Sequence, residues 1–360
     1  MWVLRQAFGI ADRAAAALFP GYFALVMATG ALSIASELLG YHLLAAGLLG
    51  VNILAYGTLA ALLALRLCRH FGDVLHDVAD HSRGAGFFTV VAGTCVFGSQ
   101  LVVVGHLPGI ACWFWVSGLV LWTVVMYSFF LAVTIRRSKP SLQSGINGAW
   151  LIAAVATQSI AVLGSLVAPS FAGGSELVLF VAFTAHLLGA MLYLAIITLI
   201  FYRLTFIPLT VEDMTPPYWI SMGAVAISTL AGASLILRAP DSAFLLGVTP
   251  FLRGFTLFFW ATATWWIPLL ALLMAWRHLY MRHPIRYEPQ FWGMVFPLAM
   301  YTTATVQLAR AERLDFLMVI PEAFVFVALA AWLMTAFGLL RALRHGLHWR
   351  RGPATNRPAN

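Results

Sequence analysis

Charged residues are scarce in this sequence. Asp, Glu, Lys and Arg make up 9% of the 360 residues, while hydrophobic residues make up 62%. Soluble domains carry about 25% charged and about 45–50% apolar residues, so this chain has too little charge to cover a surface exposed to water. We therefore predict an all-α polytopic membrane protein.

Cysteine is also rare, and the common catalytic signatures are missing. The three cysteines, Cys68, Cys95 and Cys112, all fall in or beside apolar segments and form no CxxC pair, so neither a disulfide framework nor a zinc ribbon is indicated. The sequence has no HExxH, Walker, Rossmann or serine-elbow pattern. We therefore predict no catalytic site, no metal site and no cofactor, so that the protein is not an enzyme. The net charge of +8 favours anionic solutes or lipids as partners of a membrane protein. We expect no nucleic acid among the partners.

Long apolar runs are what the sequence has instead. A membrane helix needs about 20 apolar residues, and ten segments meet that length. They are 19–39, 43–68, 86–104, 110–135, 147–169, 175–203, 218–237, 251–279, 290–309 and 321–344. We predict one transmembrane domain over 19–344, a cytosolic lead-in over 1–18 and a disordered basic cytosolic tail over 345–360.

The distribution of basic residues supports an even number of spans. With ten spans, 17 of the 21 Lys and Arg residues fall on the side that holds both termini. Cytoplasmic segments of membrane proteins carry such an excess. We therefore predict cytoplasmic N- and C-termini in a cell membrane, plasma or inner.

Odd-numbered and even-numbered spans differ in composition. The odd spans carry about twice the density of Ser, Thr, Gly, Asn and Gln, whereas the even spans carry bulky apolar runs. This pattern predicts five helical hairpins around a central pore, with odd helices inside and even helices facing lipid.

Small residues recur at three- and four-residue steps within the odd spans and so share a helix face. Close helix packing explains such a face as well as a pore lining does. The pore-lining candidates are Thr29, Gly30, Ser33, Gly93, Thr157, Gly164, Ser228, Gly232 and Thr303.

Few ionisable residues fall inside the predicted spans. His186 is the deepest, and Glu37 lies near the outer end of span 1. Both are candidates for proton-linked transport, because ionisable residues inside a membrane are costly and usually have a functional role. A hydrogen-bonded packing role for His186 is the alternative.

The connection between spans 2 and 3 reads CRHFGDVLHDVADHSRG and contains side chains able to bind a metal. They are His70, His76, Asp77, Asp80 and His81. A solvated cytoplasmic loop of mixed charge explains the same residues. A membrane-bound metal or redox enzyme is therefore kept as an alternative of another class.

Four stretches carry a family resemblance that covers about residues 18 to 340. Span 1 reads FPGYFALVMATGALSIA, span 5 begins NGAWLIAAVATQSIAVLG, span 7 reads PPYWISMGAVAISTLAG and span 9 reads FWGMVFPLAMYTTATVQLA. Together they resemble the tellurite-resistance/dicarboxylate transporter family, which includes fungal malate permeases, fungal sulfite efflux proteins and plant slow-type anion channels. The resemblance implies ten helices around a pseudo-fivefold pore, assembled as a homotrimer.

The resemblance also implies a gate. In the family a phenylalanine of helix 9 closes the pore, and the matching residue here is Phe296. Pro297 removes the N–H that would bond the carbonyl of Gly293, which predicts a kink that aims the ring. A packing aromatic between helices is the alternative for Phe296.

We therefore expect transport of small anions through a Phe-gated pore, with C4-dicarboxylates such as malate as the solute. The alternatives are a sulfite, nitrate or chloride channel or efflux protein, and a proton-coupled symporter. The expected partners are a small anionic solute, the lipid bilayer and further copies of the same chain.

Overall fold

The computed structural model describes residue 9 and residues 11–344. The predicted tail over 345–360 and most of the first ten residues lie outside the described part. Within these residues, ten long α-helices follow one another, separated by short connections. They are α1 (Ala24–Leu38), α2 (His42–Arg69), α3 (Phe88–Val103), α4 (Pro108–Ile135), α5 (Ile152–Val167), α6 (Ser175–Phe206), α7 (Ile220–Arg238), α8 (Ala243–Ala275), α9 (Trp292–Glu312) and α10 (Val319–Arg344). The described residues contain no strand, so the all-α prediction is confirmed.

The five odd helices form a closed inner ring. Each one packs against the next in the order α1, α3, α5, α7, α9, and α9 returns to contact α1. Each even helix packs against the odd helix before it in the chain, which makes five hairpins. Buried residues make up 78–94% of the most apolar windows that contain α1, α3, α5 and α7, and only 17–44% of those in the even helices. The predicted division into inner odd and outer even helices is confirmed.

Five 3-10 turns form a second ring at the end of the bundle where the odd helices begin. One turn precedes each odd helix: Pro20–Phe23, Gly84–Phe87, Gly148–Leu151, Pro216–Trp219 and Pro289–Phe291. Each turn contacts the next, and the last contacts the first. We call this set the turn ring, and the opposite end of the bundle the far end. The ring brings the five inner helices to a common starting depth.

Two glycines let the turns approach closely. A β-carbon at Gly86 would lie 2.9 Å from the backbone nitrogen of Gly21 in the neighbouring turn. A β-carbon at Gly148 would collide with the carbonyl oxygen of Pro217. Both obstacles are backbone atoms, which cannot rotate away as a side chain can. Glycine is therefore required at these two positions of the turn ring.

Nine of the candidate spans within residues 11–344 are long and apolar enough to cross a membrane. The tenth helix, α9, has 21 residues but a lower hydropathy, because it carries Pro297 and a run of threonines. It lies in the inner ring, where neighbouring helices rather than lipid surround it. A helix in that position tolerates polar residues. Whether α9 crosses the membrane, and with it the count of ten spans, stays a prediction.

Helix α8 begins eight residues before the predicted start at 251. Ser242 caps its first turn by accepting a hydrogen bond from the amide of Leu245, and Pro250 lies inside the helix. The prediction placed the start after this proline, which is tolerated in the structure. Arg253 consequently lies within α8, with its Nε 3.7 Å from Glu312 Oε2.

Candidate functional site

A central cavity runs along the axis of the inner ring, toward the far end. The space between its lining atoms is about 450 Å³, and all five odd helices contribute to it. The lining residues are Ile34, Val96, Ser99, Val103, Ser159, Val162, Leu166, Ile227, Leu230, Ser234, Met300, Thr303 and Gln307. A cavity lined by all five inner helices lies where a pore is predicted.

The lining of this cavity is neutral. Within the described part of the chain, no lining side chain is charged. The hydroxyls of Ser99 and Ser159 donate to carbonyls of their own helices, at 3.0 Å and 2.7 Å. These oxygens therefore present lone pairs until the hydroxyl rotates. An anion in this cavity meets only weak donors, which suits passage better than retention.

One face of α9 continues the cavity toward the turn ring. Phe296, Met300, Thr303 and Gln307 follow at steps of four, three and four residues and so lie on one face of the helix. The last three line the cavity. Phe296 is 1% exposed and lies four residues nearer the turn ring, a rise of about 6 Å.

The other inner helices carry smaller side chains at the level of Phe296, with one exception. The equivalent positions, seven or eight residues after the start of each turn, are Met27, Ala92, Val155 and Gly223. Met27 of α1 is the only other long side chain in this set, and it is also buried. Phe296 is therefore the largest side chain of the inner ring at this level.

Pro297 fixes the position of α9 against α7. A β-carbon at Gly223 would lie 2.6 Å from Cγ of Pro297, so the proline ring packs directly on this glycine. Gly293 also faces α7, but less closely: a β-carbon at this position would meet only Ile220, at 3.7 Å. The α-helix continues through Pro297 without interruption. The proline thus contributes a defined contact next to Phe296, and the predicted kink stays a prediction.

Thr303 lines the cavity, but three of the other hydroxylated candidates contact neighbouring helices. Thr29 accepts a hydrogen bond from Trp332 of α10 at 3.0 Å, and Thr157 accepts one from Trp122 of α4 at 2.8 Å. Ser33 donates to the carbonyl of Ala45 in α2 at 2.7 Å. These are the contacts of helix packing, the alternative that the sequence left open.

Ser228 and the glycine candidates do not line the cavity either. Ser228 donates to the carbonyl of Ala224 in its own helix, at 2.8 Å. A β-carbon at any of the four glycines would press on another helix. The obstacles are Val96 for Gly30, Phe23 for Gly93, Trp115 for Gly164 and Thr256 for Gly232. The small faces of the odd helices therefore let neighbouring helices approach closely.

Sequence reasoning missed the aliphatic lining of the cavity. Val96, Val162, Ile227 and Leu230 belong to residue types that occur throughout every span, so their identity carried no signal. It also missed tryptophan donors such as Trp260, whose Nε1 donates to Thr305 at 3.1 Å. A pairing of tryptophans in even helices with threonines in the next odd helix is visible only once the helices are in contact.

His186 lies away from the cavity, between three helices. Its Nδ1 is 2.9 Å from Gln158 Oε1 of α5, and its ring meets Phe255 and Phe259 of α8 edge-on. Its Nε2 has no hydrogen-bond partner within the described residues. Glu37, at the far end of α1, pairs with His42 at 2.8 Å. The structure does not bring these two candidates together.

The connection between α2 and α3 is held by arginines. It forms the short helix Phe71–Val78, in which Asp77 contacts Arg66 at 2.7 Å and Arg83 at 2.8 Å. Within the described residues, no group of three or more His, Cys, Asp or Glu side chains is arranged to hold a metal ion. Asp77 is thus engaged by two cations.

Asp80 stabilises the end of the same connection. Burial would raise the pKa of its carboxyl, but hydrogen bonds from the hydroxyl and amide of Ser82 and the amide of Arg83 outweigh burial, together with the charge of Arg136. The pKa of Asp80 is therefore lowered. The stability that these bonds contribute is present at neutral pH and is lost as the pH falls through this lowered value.

Five apolar helices form a closed ring around a neutral cavity, and the five even helices, which are more exposed, pack outside this ring. This architecture defines a class of polytopic membrane transport protein. The chain matches the family model described as voltage-dependent anion channel (SLAC1) over residues 17–340. It belongs to that family, and the resemblance predicted from the four stretches is confirmed. Membrane anion transport is accordingly its function class.

The relatives cover different shares of the chain. An uncharacterized membrane protein of Mycobacterium tuberculosis is 40% identical over 152 residues, which is 42% of this chain and 77% of the relative. An uncharacterized transporter of Methanocaldococcus jannaschii is 25% identical over 293 residues, which is 79% of this chain and 82% of the relative. A second uncharacterized transporter of the same organism is 23% identical over 290 residues, with the same shares covered.

Proposed function

We propose that small anions cross the membrane through the central cavity of this chain and that Phe296 is the gate. The observation that carries the proposal is the neutral cavity lined by all five inner helices, with the buried Phe296 about one helical turn beyond Met300 of its lining, on the side of the turn ring. Family membership supports anion transport, and the face shared by Phe296, Met300 and Thr303 supports the position of the gate.

The proposed gate works by steric exclusion. An aromatic ring across a narrow apolar lumen blocks an ion by bulk and by excluding water. Rotating the ring would open the lumen without breaking an ion pair, because the cavity lining holds no charge within the described residues. The packing of Pro297 on Gly223 would keep the backbone of α9 fixed while the ring moves.

C4-dicarboxylates such as malate are the solute class that we propose first, on the family resemblance. Sulfite, nitrate and chloride are the alternatives, and an uncharged lining accommodates each of them through the same weak donors. The cavity has no arginine or histidine among its described lining residues to select a doubly charged ion by attraction. Selection would then depend on size and on the cost of dehydration.

A flux assay in proteoliposomes tests the function and the solute together. Uptake of malate, succinate, sulfite, nitrate and chloride is measured with and without a pH gradient, against liposomes without protein. Protein-dependent flux of malate and succinate that persists without the gradient supports the proposal. Flux of the inorganic anions alone moves the assignment to a channel or efflux protein, and no flux of any anion contradicts it.

We also propose that the protein is a homotrimer in the cell membrane, with both termini in the cytoplasm. The exposed apolar side chains of the even helices offer surface to lipid and to other copies alike, which supports a membrane location and an assembly. The excess of Lys and Arg on the side of the termini supports the orientation. Native mass spectrometry of the detergent-solubilised protein should release complexes of three chains. Monomers alone, under conditions that preserve a known membrane trimer, would contradict the proposed assembly.

A further inference from the structure

A second, smaller cavity lies beside the turn ring, between the end of α8 and the start of α9. Its space is about 230 Å³, and it shares no residue with the central cavity. The lining residues are Pro216, Arg277, His278, His283, Pro284, Arg286, Glu288 and Phe291. Two arginines and two histidines thus converge from one connection, opposed by one carboxylate among these residues.

A π-helical turn shapes this basic cavity. The chain widens from α-helix to π-helix over Trp276–Tyr280, and the amide of Met281 donates to the carbonyl of Trp276 at 2.9 Å. The chain then folds back, so that Nδ1 of His278 lies 2.9 Å from the carbonyl oxygen of His283 and donates to it. The turn holds the basic side chains on one short loop.

Arg277 is buried in this cavity without satisfying all its donors. Its side chain is among the buried charged residues at 8% exposure, and one of its terminal nitrogens donates to the carbonyl of Met214. Its Nε has no hydrogen-bond partner within the described residues. A buried donor without an acceptor costs free energy, which a bound acceptor would recover.

We propose that this basic cavity binds a phosphoryl group, carried either by a soluble phosphate or by the headgroup of an anionic lipid. Arginine presents a planar fork of donors that matches phosphate oxygens, and a tetrahedral phosphoryl group can meet donors that converge from several directions. Glu288 opposes the occupant by charge repulsion. The site is separate from the proposed pore and contacts two turns of the turn ring, through Pro216 and Phe291.

Binding to the purified full-length protein tests the site. Inorganic phosphate is titrated into delipidated protein in detergent, with calorimetry and thermal stability as readouts. Arg286→Gln should weaken binding about tenfold, the loss expected for one charge-assisted hydrogen bond. Glu288→Gln should tighten it. Arg282→Gln is the matched control, because Arg282 is exposed on the same loop but does not line the cavity.

A second arm distinguishes the source of the phosphoryl group and separates this site from the pore. The thermal stability of the protein is compared in nanodiscs of phosphatidylglycerol and of phosphatidylcholine. A lipid headgroup is assigned if phosphatidylglycerol stabilises the protein, Arg286→Gln removes this stabilisation, and free phosphate does not bind. Phe296→Ala should bind phosphate as the parent does, whatever its flux. Equal losses in Arg282→Gln and Arg286→Gln, or neither phosphate binding nor a lipid preference, would overturn the proposal.

Discussion

At the scale of single residues, the chemistry of the lumen depends on side chains that the sequence does not distinguish. Val96 and Ile227 line the central cavity, yet the same residue types face lipid elsewhere in the chain. The sequence predicted that small residues at three- and four-residue steps share one helix face, but it could not predict whether that face meets a neighbouring helix or the lumen. That choice depends on the rotation of each helix within a closed ring. Phe296 was identified because the family resemblance supplied a role for it.

Phe296→Ala should raise anion flux in proteoliposomes by about tenfold or more, since lowering a barrier by about 1.4 kcal/mol already gives that factor. Phe259→Ala is the matched control, because Phe259 is fully buried but belongs to the outer helix α8 and not to the inner ring. Each substitution removes a buried ring at a cost of about 3–5 kcal/mol of stability in soluble proteins. Equal flux in both variants, at equal amounts of folded protein, would argue for a packing role of Phe296.

His186→Ala should lower thermal stability without changing how flux depends on pH. The substitution removes the hydrogen bond to Gln158 and leaves the amide oxygen of Gln158 without this partner. Interhelical hydrogen bonds in membranes contribute on average about 0.6 kcal/mol, and the lost contacts with Phe255 add to the effect. Flux is measured per folded molecule, with and without a pH gradient, and Glu37→Gln is examined in parallel. A loss of gradient-driven uptake in either variant would favour the proton-coupled symporter.

At the scale of helices and connections, the composition of each span predicted its place in the bundle better than the sequence predicted where each helix begins and ends. The density of small polar residues separated inner from outer helices, because side chains that face neighbouring helices need not be bulky and apolar. Helix ends were harder to place. The sequence predicted a start of span 8 at residue 251, but a cap at Ser242 starts α8 earlier. The turn ring was not predicted from the sequence, because each 3-10 turn has only three or four residues. The repetition of one turn before each odd helix becomes visible only through the contacts between the turns.

The connection between α2 and α3 should depend on one carboxylate. Asp77→Asn leaves the guanidinium of Arg66, which is 2% exposed, without its charged partner, and breaking a buried ion pair costs about 3–5 kcal/mol. Asp12→Asn removes an exposed contact with Arg69 and should cost about 1 kcal/mol or less. Thermal unfolding in detergent compares the two variants. Equal, small shifts would mean that Arg66 finds another acceptor and that Asp77 does not hold the connection in place.

At the scale of the whole molecule, one property of the sequence and one of the structure agree with the same architecture. The distribution of basic residues predicts both termini on one side, which requires an even number of crossings, and in the structure α9 closes the inner ring between α7 and α1. Helix α9 is nevertheless less apolar than the nine spans that meet the membrane criterion within residues 11–344. Its neighbours in the ring explain this, since a helix shielded from lipid does not need a lipid-compatible surface. The architecture therefore predicts a crossing that hydropathy alone does not.

Cysteine labelling can decide whether α9 crosses the membrane. In a background without Cys68 and Cys112, Ile285→Cys lies before α9 and Asp315→Cys lies after it, both at exposed positions. If the turn ring faces the cytoplasm, a membrane-impermeant maleimide should label the cysteine at 315 in intact cells and the one at 285 only after permeabilisation.

Lys139→Cys and Ala172→Cys provide the control for this experiment. Both positions are exposed, and they flank α5, a helix whose length and composition meet the criterion for a span. The cysteine at 139 should behave like that at 285, and the cysteine at 172 like that at 315. Exchange of both pairs would invert the orientation and keep ten crossings. Labelling of positions 285 and 315 from the same side, with the control pair split, would leave α9 as a helix that does not cross. Because α9 carries Phe296, that result would also remove the gate from the membrane path.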